Sequence, residues 1–292
     1  MRTLHIWSFA LFLGVLGAFT SSTWADTPAA VKVKFEAIIV KGAKPLADKI
    51  AWTVEPAGKD GTPKQQASAA GPEFSLIPGK YRVTAVLGNS TVVRDIAVAA
   101  SGGKQVIDMN SGYTRLAMFA NTGEKPIKDN ISWEVFHYTK GEIDETRKVA
   151  SAVAPNPEFT LPAGYYTVRA SYLSTVTEMV MPVTAGTLYK YSVNLYAGKV
   201  GLTAVSDKGK AIKDQVTWKI QRATKDKSGQ RETLITDSTA APTIMLREGK
   251  YVVIVESGGQ VGEAPFEIKA GKTKKVKVEL KPAPASAVAG ST

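Results

Sequence analysis

Gly42-Ala-Lys-Pro-Leu-Ala-Asp48-Lys-Ile-Ala-Trp52, Gly123-Glu-Lys-Pro-Ile-Lys-Asp129-Asn-Ile-Ser-Trp133 and Lys208-Gly-Lys-Ala-Ile-Lys-Asp214-Gln-Val-Thr-Trp218 are three versions of one phrase. A second phrase follows each of them. It reads Pro72-Glu-Phe-Ser-Leu-Ile-Pro-Gly79-Lys-Tyr81-Arg-Val83, then Pro157-Glu-Phe-Thr-Leu-Pro-Ala-Gly164-Tyr-Tyr166-Thr-Val168, then Pro242-Thr-Ile-Met-Leu-Arg-Glu-Gly249-Lys-Tyr251-Val-Val253. The tyrosines are spaced 85 and 85 residues apart and the tryptophans 81 and 85, so the length difference lies between the two phrases. Self-similarity at a fixed period identifies a repeat architecture before any local structure is assigned.

Within each copy the apolar residues alternate. Ile50-x-Trp52-x-Val54, Ile131-x-Trp133-x-Val135 and Val216-x-Trp218-x-Ile220 each predict a half-buried strand, and Tyr81/Val83/Ala85/Leu87 does the same after the glycine. Each copy closes on a strand such as Tyr191/Val193/Leu195 or Val276/Val278/Leu280. Gly-, Pro- and Asp-rich turns separate these runs at the short intervals of a sandwich, and no stretch carries capped helical periodicity. A unit of about 85 residues closes its own core. The reading is therefore all-β: three tandem immunoglobulin-like or prealbumin-like antiparallel β-sandwich domains, residues 26–112, 113–196 and 197–281. The joints, Asp108-Met-Asn-Ser-Gly112 and Asn194-Leu-Tyr-Ala-Gly198, are short enough to favour a semi-rigid rod. Residues 282–292, rich in Pro and Ala, have nothing to bury and are expected to be disordered.

The pattern Gly-x-Lys-Pro-(Leu/Ile)-x-Asp-x-Ile-x-Trp, followed by Phe-x-Leu-x-x-Gly-x-Tyr-x-Val and a closing Val-x-Leu strand, resembles bacterial transthyretin-like or carboxypeptidase-regulatory-like repeats, relatives of immunoglobulin-like sandwiches. The resemblance covers nearly all of residues 31–281 and implies the fold. As to function, it implies only the range of such units, from spacers and adhesive stalks to accessory modules. The third copy departs from it, with Ala211 in place of the proline and Ile244 in place of the phenylalanine.

The chain begins with one positive charge at Arg2, an apolar run from Leu4 to Phe19, and a small-x-small end at Thr23-Trp24-Ala25. This is the form of a secretory signal peptide, residues 1–25, cleaved after Ala25. The expected compartment is the periplasm, with secretion or the cell surface as the alternative. Of 292 residues 44% are apolar and 22% charged, as in a chain with packed cores. Cysteine is absent, which removes disulfides and thiolate chemistry and leaves packing alone to hold an exported protein.

Residues for catalysis are scarce. Beyond the leader the one histidine is His137, and there is no Gly-x-Ser-x-Gly elbow. The densest acidic cluster, Glu142-Ile-Asp144-Glu145, lacks calcium-loop spacing and reads as a solvated loop, with calcium a minor alternative. Ser101-Gly-Gly103 and Ser257-Gly-Gly259 read as hairpin turns rather than phosphate cradles. No catalytic residue, metal or cofactor is predicted, and the chain is read as a non-enzyme. Nor does an exported chain without a recognition module suggest nucleic acid. The repeated Trp and Tyr fall on inward positions, as do Tyr172, Tyr189 and Tyr191. Tyr165 alone points outward where the sister copies have Lys80 and Lys250.

Charge is the informative asymmetry. Residues 26–112 carry 11 basic and 8 acidic side chains, residues 113–196 carry 8 and 8, and residues 197–281 carry 17 and 10. Lys208, Lys210 and Lys213 line the first turn of the third unit. Lys272, Lys274, Lys275, Lys277 and Lys281 lie on and before its last strand, where Val276, Val278 and Leu280 point in and so turn Lys275, Lys277 and Lys281 out along one face. Two readings stand side by side: a dock for an anionic envelope polysaccharide, peptidoglycan or a membrane surface, or lysines guarding an edge strand. Val252 and Ile254, apolar where the strand should face out, mark a second candidate contact, for the second unit or an envelope protein. The functional expectation is thus an exported structural and binding protein of the cell envelope. An adhesin-like stalk is the first alternative and a polysaccharide-acting enzyme the second.

Overall fold

The computed structural model describes residues 29–58, 63–213 and 215–283. The expected signal peptide and residues 284–292 lie outside the described residues. Each unit contributes seven strands. The first has β1 (Val31–Ile38), β2 (Ile50–Pro56), β3 (Gln65–Ala69), β4 (Glu73–Leu76), β5 (Gly79–Leu87), β6 (Ser90–Val98) and β7 (Gly103–Asp108). The second has β8 (Ser111–Phe119), β9 (Ile131–His137), β10 (Lys148–Ala154), β11 (Glu158–Pro162), β12 (Gly164–Tyr172), β13 (Thr175–Val183) and β14 (Leu188–Asn194). In the third are β15 (Ala197–Val205), β16 (Thr217–Lys225), β17 (Arg231–Asp237), β18 (Thr243–Arg247), β19 (Gly249–Ser257), β20 (Gln260–Ile268) and β21 (Thr273–Glu279), and β22 (Lys281–Pro282) follows. A single 3-10 turn, Glu145–Arg147, is the helical element among the described residues.

Every unit packs a three-stranded sheet on a four-stranded one. The orders are β4-β1-β7 on β3-β2-β5-β6, β11-β8-β14 on β10-β9-β12-β13, and β18-β15-β21 on β17-β16-β19-β20, to which β22 adds a fifth strand. The sandwiches are not wholly antiparallel. The first and last strands of each unit run parallel, as in Leu202 opposite Val276. Alternation is the same for parallel and antiparallel partners, so the sequence pattern does not reveal this pairing. Pro282, placed by sequence in a disordered tail, instead sits in β22, where Lys281 and Pro282 pair with Val261 and Gln260 of β20.

The repeated residues build the same lock three times. The indole N–H of Trp52, Trp133 and Trp218 donates to the carbonyls of Ala69, Ala154 and Thr239, each at 2.9 Å. All three rings are almost wholly buried. The hydroxyls of Tyr81, Tyr166 and Tyr251 donate to the carbonyl four residues earlier, that of Ile77, Pro162 or Arg247, at 2.7, 2.8 and 2.7 Å. Each tyrosine thereby ties the start of its strand to the preceding corner, while its ring fills the core. Burial pushes the Tyr166 hydroxyl up to about 12. Tyr166→Phe keeps the ring and removes the bond, so it is expected to cost about 1 kcal/mol. Urea unfolding of the variant beside the parent checks this.

The units are joined by contact as well as by chain. Met245 of β18 points away from its own core and is buried in that of the second unit, together with Leu195 and Ala197. Its backbone is gripped by Ser174 and Thr175, whose hydroxyls both donate to Met245 O at 2.8 Å. Beside it Lys199 donates to Asp129 Oδ2 at 3.1 Å, and the Tyr172 hydroxyl donates to the same oxygen. The hydrogen bond from Tyr172, followed by that from Lys199, holds the Asp129 carboxyl below its ordinary range. At the first joint the Ser90 and Ser111 hydroxyls, both buried, lie 2.6 Å apart, and Ala163 N–H donates to Asn110 O at 2.8 Å.

Candidate functional site

Three copies of one unit separate what makes the fold from what is particular to a copy. Positions alike in all three, the Trp and Tyr locks above all, serve the core. Positions that change character in one copy are where a function specific to that copy would reside. By this criterion the third unit stands out, and the feature that changes most is its last strand.

β21 is a free-edge strand of its sheet, with β15 beside it. Val276, Val278 and Leu280 are buried, which turns Lys275 and Lys277 outward and exposes them. Their neighbours on β15 are Gly201 and Thr203. A Cβ at Gly201 would meet nothing within 4 Å, so the face beside Lys275 is open. At the end away from the second unit, Val205 pairs with Glu279 on one side and bridges Ala211 on the other. Leu280 N–H donates to Val205 O at 2.9 Å. These contacts bring the turn bearing Lys208, Lys210 and Lys213 beside the end of β21. Lys281, expected on the same face as Lys275 and Lys277, has instead passed into β22 and pairs with Val261 of the other sheet. A Gly209 N–H to Ser206 O bond of 2.8 Å tightens the turn and leaves its lysines exposed. Lys272 lies at the opposite end, 3.6 Å from Glu124 of the second unit.

Among the described residues Lys208, Lys210, Lys213, Lys275, Lys277 and Lys281 have no carboxylate partner. The equivalent face of the first unit is compensated, since Glu36 takes Lys104 at 2.5 Å and Lys34 at 3.4 Å. Those two lysines hold the Glu36 carboxyl below its ordinary range, through the Lys104 hydrogen bond first. In the second unit Arg115 on the same sheet pairs with Glu158. Lys190, beside Arg115 on the last strand of the second unit, also lacks a carboxylate partner among the described residues. The third unit thus differs in carrying two such outward lysines, Lys275 and Lys277, where the second carries one.

The second candidate contact is not open. Val252 is 4% exposed and Ile254 half-buried. The outward face of β19 is roofed by its own unit: Arg231 of β17 reaches Glu263 of β20 at 3.2 Å, across β16 and β19, and Lys219 holds Glu256 at 2.9 Å. Alternation places Val252 on the outer face correctly, but a long arginine covers it.

Elsewhere the acidic loop is engaged by its own chain. Asp144 accepts from the backbone and hydroxyl of Thr146, at 3.0 and 2.6 Å, and Glu145 takes Arg169 at 2.6 Å. Tyr165 is 66% exposed, as its outward position predicts. Tyr189 and Tyr191 are half-buried and stack on each other at 5.6 Å. His137 stacks on Tyr166 at 5.4 Å. No helix among the described residues is long and apolar enough to cross a membrane.

Sequence reasoning passed over Arg222 and Arg247. Arg222 pairs across the sheet with Tyr251, where the sister units have Pro56 and His137. The carbonyl of Arg247 accepts the Tyr251 hydroxyl, where the sister units use Ile77 and Pro162. The signal was present in the repeat alignment, as two cations replacing apolar or aromatic neighbours of the repeated tyrosine.

Comparison with known proteins gives the following. The Bacillus anthracis TIE protein is 16% identical over 87% of this chain and 51% of that one, with a TM-score of 0.24, so the chain spans about half its length. A streptococcal ancillary pilin is 12% identical over 87% of this chain and 100% of its own, with a TM-score of 0.28. The minor pilin of Streptococcus agalactiae is 14% identical over 60% and 97%, with a TM-score of 0.30. No curated protein matches the chain. Residues 199–280, the third unit, match the model of the Rhizobiales growth-associated tandem repeat domain.

Proposed function

We propose that this chain is an exported, non-enzymatic structural and binding protein of the bacterial cell envelope, which docks through the lysine face of its third unit on an anionic envelope polysaccharide or peptidoglycan. The observation that carries this reading is the set of exposed lysines on β21 and the β15–β16 turn, without a carboxylate partner among the described residues, where the first unit neutralises the same face through Glu36. An edge-guarding role accounts for them less well. Gly262 of β20 lies so close to Glu279 that a Cβ there would overlap its carbonyl, and β20 also takes up β22. The far end of β21 is therefore already covered by the chain itself and has little need of charged guards. Lys275 and Lys277, moreover, stand on the sheet face and not along its rim. The growth-associated description of the domain that the third unit matches agrees with a partner in the envelope, and the leader-like start agrees with the periplasm. Naming the units transthyretin-like rests on the sequence pattern alone.

The test is co-sedimentation of the chain from Asp26 onward with purified envelope polymer across a salt series, beside Lys275→Gln/Lys277→Gln/Lys281→Gln. Binding is expected to fall as salt rises, because screening weakens exposed charge contacts, and to be weaker in the variant with a shallower salt dependence. Salt-insensitive binding, or equal binding by the variant, would return these lysines to guarding an edge.

A further inference from the structure

A cleft of about 440 Å³ lies where the second and third units meet, on the β18 side of the sheet that carries the lysines on its β21 side. Ser174, Thr175 and Val176 of the second unit form one wall, and Leu234, Ile235, Arg222 and Arg247 of the third form the other. Domain junctions are a preferred place for small-ligand sites, and this volume lies in their usual range.

The polar groups of the cleft are mostly committed. The Ser174 and Thr175 hydroxyls both donate to Met245 O. The Tyr251 hydroxyl donates to Arg247 O. Glu248, the acid in the lining, has one carboxylate oxygen on the Ala270 N–H at 3.0 Å, and its own N–H donates to Tyr196 O. Arg222 donates through Nε to Glu232 at 2.7 Å. Arg247 has no carboxylate partner among the described residues. Both arginines line the cleft beside Tyr251: Arg222 is its partner across the sheet, and Arg247 accepts its hydroxyl at the backbone carbonyl. Neither sister unit has a cation at either position.

Two arginines lining one cleft with Val176, Leu234 and Ile235 suit an anion with an aliphatic body. A guanidinium matches a carboxylate in shape and gives a stronger hydrogen bond than a neutral donor. A sugar ring, in contrast, would bring hydroxyls to apolar walls with few free partners. We propose that this cleft binds the free carboxylate of a peptide ending in a small aliphatic residue, with Arg247 and Arg222 on the carboxylate and Val176, Leu234 and Ile235 around the side chain. Such a ligand would touch both units and clamp their joint.

The proposal is tested by following backbone amide resonances of the chain from Asp26 onward during titration with acetyl-Ala-Ala as the free acid. Its C-terminal amide, galacturonate and inorganic phosphate are run in parallel. Saturable shifts are expected for the free acid at residues 174–176, 234–235 and 246–251, with the amide silent. Arg222→Gln/Arg247→Gln, both exposed and therefore compatible with folding, is expected to weaken the response about tenfold or more, and its amide spectrum reports directly that it is folded. Lys275→Gln/Lys277→Gln is expected to bind the free acid like the parent, which keeps this site separable from the lysine face. Equal response to acid and amide, tighter binding of galacturonate or phosphate, or an unaffected arginine variant would each overturn the proposal.

Discussion

Replacing Trp133 by alanine is expected to unfold the middle unit while the first stays folded. The ring is fully buried and its N–H holds the end of β10 through Ala154 O. Truncating a buried tryptophan leaves a cavity and costs about 3–5 kcal/mol. Whole domains are stable by only about 5–15 kcal/mol, and a unit of this size without disulfides belongs near the lower end. The consequence spreads in one direction. Met245, Leu195 and Ala197 sit in the core that Trp133 supports, so the third unit loses its seat. The core of the first unit is drawn from its own residues, with Tyr113 from the second packed at its margin. Hydrogen exchange read by mass spectrometry should show protection lost across residues 111–196, retained across residues 31–107, and lowered in β18. A uniform loss in all three units would show that the cores are not separate cooperative bodies.

The core positions were legible because each was written three times. A Trp in register with Ile and Val, and a Gly-x-Tyr corner, place the inward face of a strand without reference to its neighbours. What alternation does not state is what lies over the outward face. Val252 points outward and is roofed by Arg231. Phe136 points outward and is fully buried, with the Arg169 guanidinium 5.3 Å and the Lys148 ammonium 5.7 Å from its ring centre. Met245 points outward and is buried because another unit lies on it. In each case the covering group comes from a different strand or unit, at a sequence distance that a two-residue period does not reach. The parallel pairing of first and last strands escaped for the same reason. The lysine face was legible as charge, since exposed lysines need no partner to declare them. The lack of compensating carboxylates became visible only once Glu36 was seen to serve both Lys34 and Lys104 in the first unit.

Gly198→Ala is expected to damage the joint between the second and third units more than either fold. A Cβ at this position would lie 2.7 Å from Lys272 O, 2.9 Å from an Ile268 methyl, and closer still to Lys269 O. Backbone carbonyls do not swing aside as the tip of a side chain does, so the strand must move. Forced overpacking of this kind costs about 1–3 kcal/mol, occasionally more, and here the upper end applies because the neighbours on two sides are backbone. The first joint repeats the arrangement at Gly112, where a Cβ would lie 2.9 Å from a Val183 methyl and 3.1 Å from Thr187 O. In both joints the residue two positions earlier has positive φ, 44° at Asn110 and 49° at Tyr196. The chain thus kinks and then passes tightly under the turn between the last two strands of the unit it enters. Displacing β15 at Gly198 also moves Ala197, whose carbonyl accepts from Gly271 at 2.9 Å, and Lys199, which reaches Asp129. The expected result is a variant whose three tryptophan environments and near-ultraviolet spectrum persist while the second and third units move independently. Small-angle scattering would register this as a broadened distance distribution. The Ser174–Met245 amides would lose exchange protection with no change in the Trp218 core. A variant that keeps the parent's scattering curve would mean that Met245 and the Asp129–Lys199 pair hold the joint without the tight passage at Gly198.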